Sequence, residues 1–297
     1  MVELLFLGTS AMVPTKDRNQ QGILITYQNK GLLFDCGEGI QRQLKIAGIS
    51  FHKIDKICIS HWHGDHVLGL PGFIQSLNNA DYNKPLFIYG PRDSKKFLSA
   101  VLQSYVFVNH IDIRVEELKE GSVVKDEEFS VEAYALDHNI PCLGYRFVEH
   151  DKRKMQMLKA KKLGLQEGPL IGKLQRGEPV MFKGQTIPPD EVSIVVHGKK
   201  IGIIADTADC NGCTKAAQNV DLLISEATFG ATDVEKAGDY KHLTAQQAAM
   251  IAQRGNAKKL ILTHFSQRYK EIQQLLTEAR EIFPATELAF DFMKVKI

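Results

Sequence analysis

Short apolar segments recur along the whole chain, and most of them end in a turn or in polar residues. Short segments in which apolar and polar residues alternate are typical of strands. The longer segments between them, with apolar residues at helical spacing, are typical of helices. In the first half, the pattern predicts strands at 2–7, 22–27, 31–34, 54–59, 86–89, 111–117 and 129–136. Helices are predicted at 40–47, 69–77 and 93–104.

The second half repeats this scheme, with strands predicted at 192–196, 200–205, 222–225 and 260–263. The first two are expected to form a hairpin around His197 and Gly198, while Thr244 and Gln247 fit a capping box that begins a helix. Two similar halves of strands covered by helices predict an α/β sandwich of two mixed sheets with helices outside. No linker divides the halves, so a single domain over residues 1–297 is expected.

A segment between the halves, at about 151–180, departs from this pattern. From Asp151 to Arg176 it holds eight Lys or Arg residues and two acidic residues, and apolar residues at regular spacing are few. We expect an inserted basic arm that cannot bury a core of its own. A solvated surface excursion is the alternative interpretation.

Composition limits the class of protein. A chain of 297 residues that is 44% hydrophobic can bury a full core. No apolar stretch approaches the roughly 18 residues that span a bilayer, and the first residues lack a secretory signal, so a cytoplasmic protein is expected. The five cysteines lack framework spacing, which favours reduced thiols. Cys210 and Cys213 form a single CxxC, for which two free thiols are favoured over redox or metal chemistry.

Residues 60–66, directly after the strand predicted at 54–59, contain three histidines and an aspartate. Imidazole and carboxylate ligands without cysteine indicate a catalytic metal site with an open position, not a closed structural zinc site. His61 and His63 can hold one ion on an extended loop, and Asp65 and His66 can hold a second. A solvated polar loop or an adventitious metal-binding tract is the alternative.

Four further polar residues, His138, Asp206, Glu226 and His264, also come at the ends of predicted strands. Taken singly, His138 and His264 would be interpreted as structural histidines and Asp206 as a turn residue. Loops at the carboxyl ends of strands are where α/β sheets place their chemistry, so the position of these residues at strand ends favours one shared site.

Together, these residues form a pattern that resembles the metallo-β-lactamase superfamily, which implies an αββα sandwich holding two zinc ions. Carried over by position, His61, His63 and His138 would bind one ion. Asp65, His66 and His264 would bind the other, and Asp206 would bridge them. Mn²⁺ or another divalent ion remains an alternative to zinc, because ligand type does not determine metal availability.

The chain also resembles the ribonuclease Z family over about its whole length, in the segments 6–10, 14–19, 90–92, 205–207, 225–229, 242–244 and 263–269. This resemblance implies an endonuclease that cleaves the 3′ trailer from pre-tRNA with a metal-activated water. The products would be a tRNA 3′-hydroxyl and a 5′-phosphate on the trailer. Asp65 would accept the proton of the water, and His242, oriented by Glu226, would protonate the leaving oxygen. Lys16 and Arg18 would contact the RNA 3′ end.

The basic segment carries Gly168 and Pro169, which look like the Gly-Pro element of that family's tRNA-binding exosite. The resemblance implies a homodimer in which the arm of one subunit binds the tRNA cleaved by the other. Two alternatives remain. One is a small-molecule phosphodiesterase or ester hydrolase of the same superfamily, and the other is a non-catalytic RNA-binding protein with structural zinc.

Overall fold

The computed structural model describes residues 1–106 and 108–297, and the chain divides into two compact units. The first unit comprises Met1–Val124, Val131–Phe147 and Lys200–Ile297. The second comprises Lys125–Ser130 and Val148–Lys199. Among the described residues, every helix is too short or too polar to cross a bilayer.

Strands and helices alternate along the chain, near most of the predicted positions. The strands are β1 (Glu3–Gly8), β2 (Gly22–Tyr27), β3 (Lys30–Phe34), β4 (Ile54–Cys58), β5 (Leu86–Gly90), β6 (Ile113–Glu117), β7 (Val123–Lys125), β8 (Phe129–Leu136), β9 (Cys142–Glu149), β10 (Lys152–Met155), β11 (Val180–Phe182), β12 (Gln185–Ile187), β13 (Ser193–Val196), β14 (Lys200–Ile204), β15 (Leu222–Glu226), β16 (Leu260–Thr263), β17 (Thr286–Leu288) and β18 (Lys294–Lys296). The helices are α1 (Ile40–Ile46), α2 (Gly64–Val67), α3 (Leu70–Asn79), α4 (Ser94–Gln103), α5 (Met157–Lys162), α6 (Pro169–Gln175), α7 (Pro189–Val192), α8 (Asn211–Ala217), α9 (Val234–Tyr240), α10 (Ala245–Arg254) and α11 (Gln273–Arg280). Short 3₁₀ turns lie at Phe51–Lys53 and Ala231–Asp233.

One mixed sheet has the strand order β18-β1-β2-β3-β4-β5-β6. Strands β1, β2 and β3 are antiparallel neighbours, and β3, β4, β5 and β6 run parallel. The apolar faces of α1 and α3 pack against this sheet in one buried cluster, which includes Leu44, Phe73 and Leu24. Because β3 and β4 are parallel neighbours, their carboxyl ends deliver the following loops to one edge.

The other mixed sheet has the order β17-β16-β15-β14-β9-β8-β7, and β14 to β17 run parallel. Alanines of α10 and α8 allow both helices to lie close against it in a second buried cluster. The capping box predicted for α10 is present, because the Thr244 hydroxyl accepts from Gln247 N and the Gln247 side chain accepts from Thr244 N. The parallel strands again end at a common edge, where Asp206 and His264 follow β14 and β16 and Glu226 is the last residue of β15.

The inner faces of the two sheets contact each other through aromatic side chains. The rings of Tyr27 and Phe147 lie 6.1 Å apart, and those of Phe34 and Tyr145 lie 5.8 Å apart. The buried Tyr145 hydroxyl donates to the Ile59 carbonyl at 2.6 Å. With helices on both outer faces, the first unit is an αββα sandwich, and the predicted fold class is confirmed.

The hairpin predicted around His197 and Gly198 is wrong. β13 pairs with β10 in a separate two-stranded sheet, whereas β14 lies between β9 and β15 in the large sheet. The two strands differ in burial, since Ile194, Val195 and Val196 are exposed, while Ile201, Ile203 and Ile204 are buried. Adjacency in sequence therefore did not decide the pairing.

The second unit buries a small core of its own. The expectation that the basic segment cannot bury a core is therefore also wrong. The core joins α5, α6, α7, the hairpin of β11 and β12 and the loop after α5. Its buried residues are Ala160, Leu165, Ile171, Leu174, Val180, Ile187 and Val192. They come from several short elements, which explains why no single spacing revealed them.

Candidate metal centre

The histidine loop links β4 to α2, and its backbone places several ligand side chains on one side. His63 is extended and caps α2, so the following Asp65 and His66 lie in the first helical turn. His61 and His66 are completely buried, and Asp65 is 9% exposed. Burial of this many polar groups requires specific partners.

The first ligand group consists of His61, His63, His138 and Asp206, whose candidate ligand atoms all lie within 4.8 Å of one another. His63 Nδ1 is 3.1 Å from His61 Nε2 and 3.2 Å from His138 Nε2. Asp206 Oδ2 is 3.6 Å from His61 Nε2. These side chains come from three separate strand ends and converge on one point.

The second ligand group consists of Asp65, His66, Asp206 and His264, again with ligand atoms within 4.8 Å. Asp206 Oδ1 is 3.4 Å from His66 Nε2 and 3.3 Å from His264 Nε2. Asp65 Oδ2 is 3.5 Å and 3.4 Å from the same two nitrogens. Asp206 belongs to both groups and directs one oxygen toward each, which is the arrangement of a bridging carboxylate.

Two buried atoms in this centre, His66 Nε2 and Asp206 Oδ1, have no hydrogen-bond partner among the described residues. Such orphaned buried polar atoms are rare and call for a ligand or an ion. Imidazole nitrogens and carboxylate oxygens are the donors that zinc and its neighbours prefer. The residues present therefore fit divalent metal ions.

The electrostatics agree with metal binding. Burial lowers the pKa of His61, His63 and His138, which keeps these imidazoles neutral, as metal ligands must be. Burial alone would raise the pKa of Asp206, but the facing His264 and His66 outweigh it and lower that pKa well below its usual range. The first group thus offers neutral nitrogens beside an ionised carboxylate. In the second group, burial alone would lower the pKa of His66, but the charges of Asp206, Asp35 and Asp65 outweigh it and raise that pKa well above its usual range, so His66 must lose a proton when a metal binds.

Asp35 supports the centre and was not singled out from the sequence. Its carboxylate accepts from Ser60 N at 2.7 Å, from Ser60 Oγ at 2.9 Å and from His66 Nδ1 at 2.8 Å. Ser60 Oγ lies in turn 3.0 Å from His61 Nδ1. Asp35 directly follows β3. A position at the end of a strand is the feature that indicated the other ligand candidates, and it could have indicated Asp35 as well.

Gly37, two residues later, is required for the close approach of this loop to the histidine loop. A Cβ at Gly37 would lie 2.3 Å from the Asp65 carbonyl oxygen and 2.7 Å from Gln20 Cβ. A side chain there would push the two loops apart. The Asp35 carboxylate reaches His66 because of this packing.

His242 and Glu226 lie together at the rim of the same centre. Glu226 is completely buried and accepts from Thr207 N, Thr228 N and Thr228 Oγ1, so its orientation is held on several sides. Its Oε1 lies 3.1 Å from His242 Nδ1. Burial would lower the pKa of His242, but the charges of Glu226 and Asp206 overcome this and raise the pKa to about 9.

A cavity of about 660 Å³ opens over the centre, in the size range of ligand sites. Its inner wall holds His242 and five of the metal-ligand candidates, His63, Asp65, His138, Asp206 and His264. Its outer wall is formed by Met12, Leu68, Phe229, Tyr240 and Arg268, of which Met12, Leu68 and Tyr240 are largely exposed. The polar candidate residues therefore lie at the floor of the cavity, and apolar and cationic side chains form its rim.

The loop that contains Lys16 and Arg18 is tied to the centre through its backbone. Met12 N donates to Asp65 Oδ2 at 2.7 Å, a contact that no pattern in the sequence predicts. Arg18 Nη2 donates to the carbonyls of Ser266 and Tyr269 at 3.4 and 3.0 Å, so this guanidinium anchors the loop after β16. Lys16 is exposed.

Gly168 and Pro169 lie in the second unit, at the start of α6, and both are exposed. The α5 helix that precedes them presents Lys159, Lys161 and Lys162 to solvent, while its Ala160 is buried. These residues form a cationic surface on a folded unit.

Comparisons with known proteins agree with the fold and with the site. The sequence model of the family described as Anti-Pycsar protein Apyc1 matches residues 2–140. That stretch is less than half of the chain; it contains the histidine loop and His138 but not Asp206 or His264. A solved Bacillus subtilis protein, YhfI, of the metallo-β-lactamase fold matches with a TM-score of 0.73 at 18% identity and complete coverage of both chains, which supports the fold alone.

Two further matches are more specific. Ribonuclease Z of Methanothermobacter thermautotrophicus is 41% identical over 298 residues, covering 100% of this chain and 97% of the relative. The solved short form of human tRNase Z is 30% identical, with a TM-score of 0.70 and 99% coverage of each chain. On this full-length similarity, the chain belongs to the ribonuclease Z family.

Proposed function

We propose that this protein is a metal-dependent endoribonuclease that removes the 3′ trailer from pre-tRNA. The observation that carries this proposal is the paired ligand set around Asp206, open to a cavity, in a chain similar to ribonuclease Z over its full length. The similarity to human tRNase Z supports tRNA as the class of RNA.

The metal ions would be two Zn²⁺ per subunit, with Mn²⁺ as the alternative. One would be held by His61, His63 and His138, the other by Asp65, His66 and His264, with Asp206 between them. Divalent ions at this centre would lower the pKa of a bound water and neutralise charge on the phosphate oxygens. The neutral histidines and the ionised Asp206 supply the ligand forms that such ions require.

Asp65 would accept the proton of the attacking water. Its Oδ2 is held by Met12 N, and its pKa is lowered because His66 and His264 outweigh the effect of burial. The carboxylate is therefore ionised and fixed in rotation, as a general base must be. Because Met12 lies in the loop of Lys16 and Arg18, the same loop would position the RNA 3′ end.

His242 would protonate the leaving 3′-oxygen. It is a partly exposed imidazole on the cavity wall, and the buried Glu226 faces its Nδ1 at 3.1 Å. A carboxylate behind one ring nitrogen leaves the other nitrogen to face the substrate and stabilises the protonated ring. The products would be a tRNA 3′-hydroxyl and a trailer with a 5′-phosphate.

The cationic surface of the second unit would bind the tRNA body, since phosphate contacts dominate affinity for RNA. Lys159, Lys161 and Lys162, next to Gly168 and Pro169, are exposed and would supply these contacts. We further propose a cytoplasmic homodimer in which this surface of one subunit holds the tRNA cleaved by its partner.

The proposal is tested by incubating the purified protein with a pre-tRNA carrying a 3′ trailer and mapping both product ends. We expect Asp65→Ala and His242→Ala each to lower kcat by about 100-fold or more, as loss of general acid–base catalysis does. Metal content should fall in Asp65→Ala and stay near the wild-type level in His242→Ala, because Asp65 belongs to a ligand group that contains Asp206, whereas His242 belongs only to the separate group with Glu226 and His264. His110→Ala, an exposed histidine outside the centre, is the matched control.

Failure to cut pre-tRNA, together with rapid hydrolysis of a chromogenic phosphodiester, would contradict the proposal. That result would instead favour a small-molecule phosphodiesterase.

A further inference from the structure

Two cysteines, Cys210 and Cys213, form a pair beside the metal centre that the proposed reaction does not use. Their Sγ atoms lie 3.6 Å apart at the start of α8, a few residues after Asp206. Cys213 is completely buried, whereas Cys210 is partly exposed. A disulfide requires the sulfurs to approach to about 2.05 Å, which a rotation of the partly exposed Cys210 side chain can supply.

The surroundings of the pair favour thiol chemistry over metal binding. The described residues include no third His, Cys, Asp or Glu ligand close enough to complete a metal group with these two sulfurs. A pair of thiols alone is too few ligands for a structural zinc site.

The two thiols also differ in reactivity. The hydrogen bond from the Cys213 thiol, with that of Thr207, lowers the pKa of Cys210 to about 5. In contrast, burial raises the pKa of Cys36, Cys58 and Cys142. A thiolate is the nucleophile in exchange reactions, so the accessible Cys210 is the attacking sulfur and the buried Cys213 is the resolving one.

We propose that Cys210 and Cys213 are a redox-active dithiol that a small-molecule disulfide oxidises to an intramolecular disulfide. Cys210 Sγ attacks one sulfur of the external disulfide, a mixed disulfide forms, and one thiolate leaves and is protonated. Cys213 Sγ then gives up its proton and attacks Cys210 Sγ, which expels the second thiolate to take a proton. The pair loses two electrons and two protons, and the external disulfide becomes two thiols.

The same pair contacts the residues that hold the metal centre. Thr207 Oγ1 lies 3.8 Å from Cys210 Sγ and accepts from Asp137 N at 3.0 Å, next to His138. Cys213 Sγ donates to the Ala208 carbonyl at 3.8 Å. Oxidation removes the thiol protons from these contacts and displaces Cys210, so the loop around Asp206 loses support. Partners that hydrogen-bond directly to a metal ligand are worth about 10- to 100-fold in metal affinity or activity, and these contacts lie one residue further from the ligands, so we expect an effect at the lower end of that range.

The chemical part of the proposal is tested by mass spectrometry. The full-length protein is incubated with oxidised glutathione, and remaining thiols are then alkylated with N-ethylmaleimide in denaturant, so that buried thiols react as well. We expect the wild type to lose the mass of two hydrogens, with Cys210 and Cys213 protected in a single disulfide that dithiothreitol reverses. Alkylation of both cysteines after treatment would overturn the proposal.

Single variants distinguish the attacking sulfur from the resolving sulfur. Cys213→Ser should accumulate a glutathione adduct on Cys210, because the resolving thiol is gone, and Cys213→Ala should do the same if serine disturbs the buried position. Cys210→Ser should take up no adduct, since Cys213 is buried. An adduct on Cys213 in Cys210→Ser would overturn the assignment of the attacking sulfur.

The effect on catalysis rests on the proposed function and is measured separately, as pre-tRNA cleavage before and after oxidation. We expect about a tenfold loss that dithiothreitol restores, and no loss in Cys210→Ser. A disulfide that forms without change in the cleavage rate would overturn the link to the metal centre. If the protein cleaves no pre-tRNA at all, the mass measurement still decides whether the dithiol is redox-active.

Discussion

At the residue scale, Asp35 shows how a residue outside the candidate ligand set orients the candidate ligands. Its φ of +58° is a left-handed conformation that Asp and Asn adopt more readily than bulky residues. In this conformation one carboxylate reaches both Ser60 and His66. A carboxylate behind a ligand histidine determines which ring nitrogen faces the metal and makes that nitrogen more basic.

We therefore expect Asp35→Asn to weaken zinc binding by about 10- to 100-fold, because the substitution removes the charge and keeps the shape. Competition with a chromophoric chelator measures the affinity. Asp112→Asn, at an exposed carboxylate paired with Arg114, is the control and should bind zinc normally. Equal zinc affinity in the two variants would show that Asp35 does not act on His66.

At the element scale, the strands and helix caps that a few consecutive residues specify lie where the sequence pattern predicts them. Strand β4 ends before Ser60 as predicted, and the capping box at Thr244 begins α10. The short helices of the second unit have weaker signals, because each contributes only a few residues to the core. Helix α5 is an example, because its Ala160 is buried in the core and its three lysines are exposed.

For α5, we expect the combined substitution of Lys159, Lys161 and Lys162 by Gln to weaken pre-tRNA binding. The slope of log affinity against log salt should fall in magnitude by about two, because up to three phosphate contacts are lost. Hydrolysis of a small phosphodiester should be unchanged, since it needs no contact with the second unit. Both quantities are measured on the same preparation over a range of salt concentrations.

The matched control replaces Lys95, Lys96 and Lys119, which are exposed in the first unit, by Gln. If this control loses affinity and salt dependence to the same extent, net charge explains the effect and α5 has no specific role.

At the scale of the whole molecule, the metal centre exists only when distant parts of the chain have folded. Asp65 and His264 are 199 residues apart in sequence, and their side chains lie 3.4 Å apart. A ligand set of this kind is absent from the unfolded chain, so metal binding and folding stability are coupled.

We expect removal of metal by a chelator to lower the melting temperature, and zinc at roughly 100 times its Kd to stabilise the folded state by about 3 kcal/mol. Thermal unfolding followed by calorimetry measures the shift. His264→Ala, which lacks one candidate ligand, should show a smaller difference between zinc and chelator. Identical unfolding of the wild-type protein with zinc and with chelator would argue against metal binding at this centre.

The sequence by itself determined the features that depend on neighbouring residues. Alternating apolar positions indicated most strands of both sheets but missed β7, β9, β17 and β18. The change from apolar to ligand residues at the strand ends indicated His61 to His66, His138, Asp206 and His264. These signals are readable because strand ends, turns and caps depend on a few consecutive residues.

The tertiary structure alone decided which of these ends meet and what supports them. It paired β13 with β10, gave the second unit its core, turned Arg18 toward backbone carbonyls and brought Met12 N to Asp65. It also placed the thiols of Cys210 and Cys213 against Thr207. Such contacts depend on sheet order and on burial between segments far apart in the chain, and no local pattern encodes them.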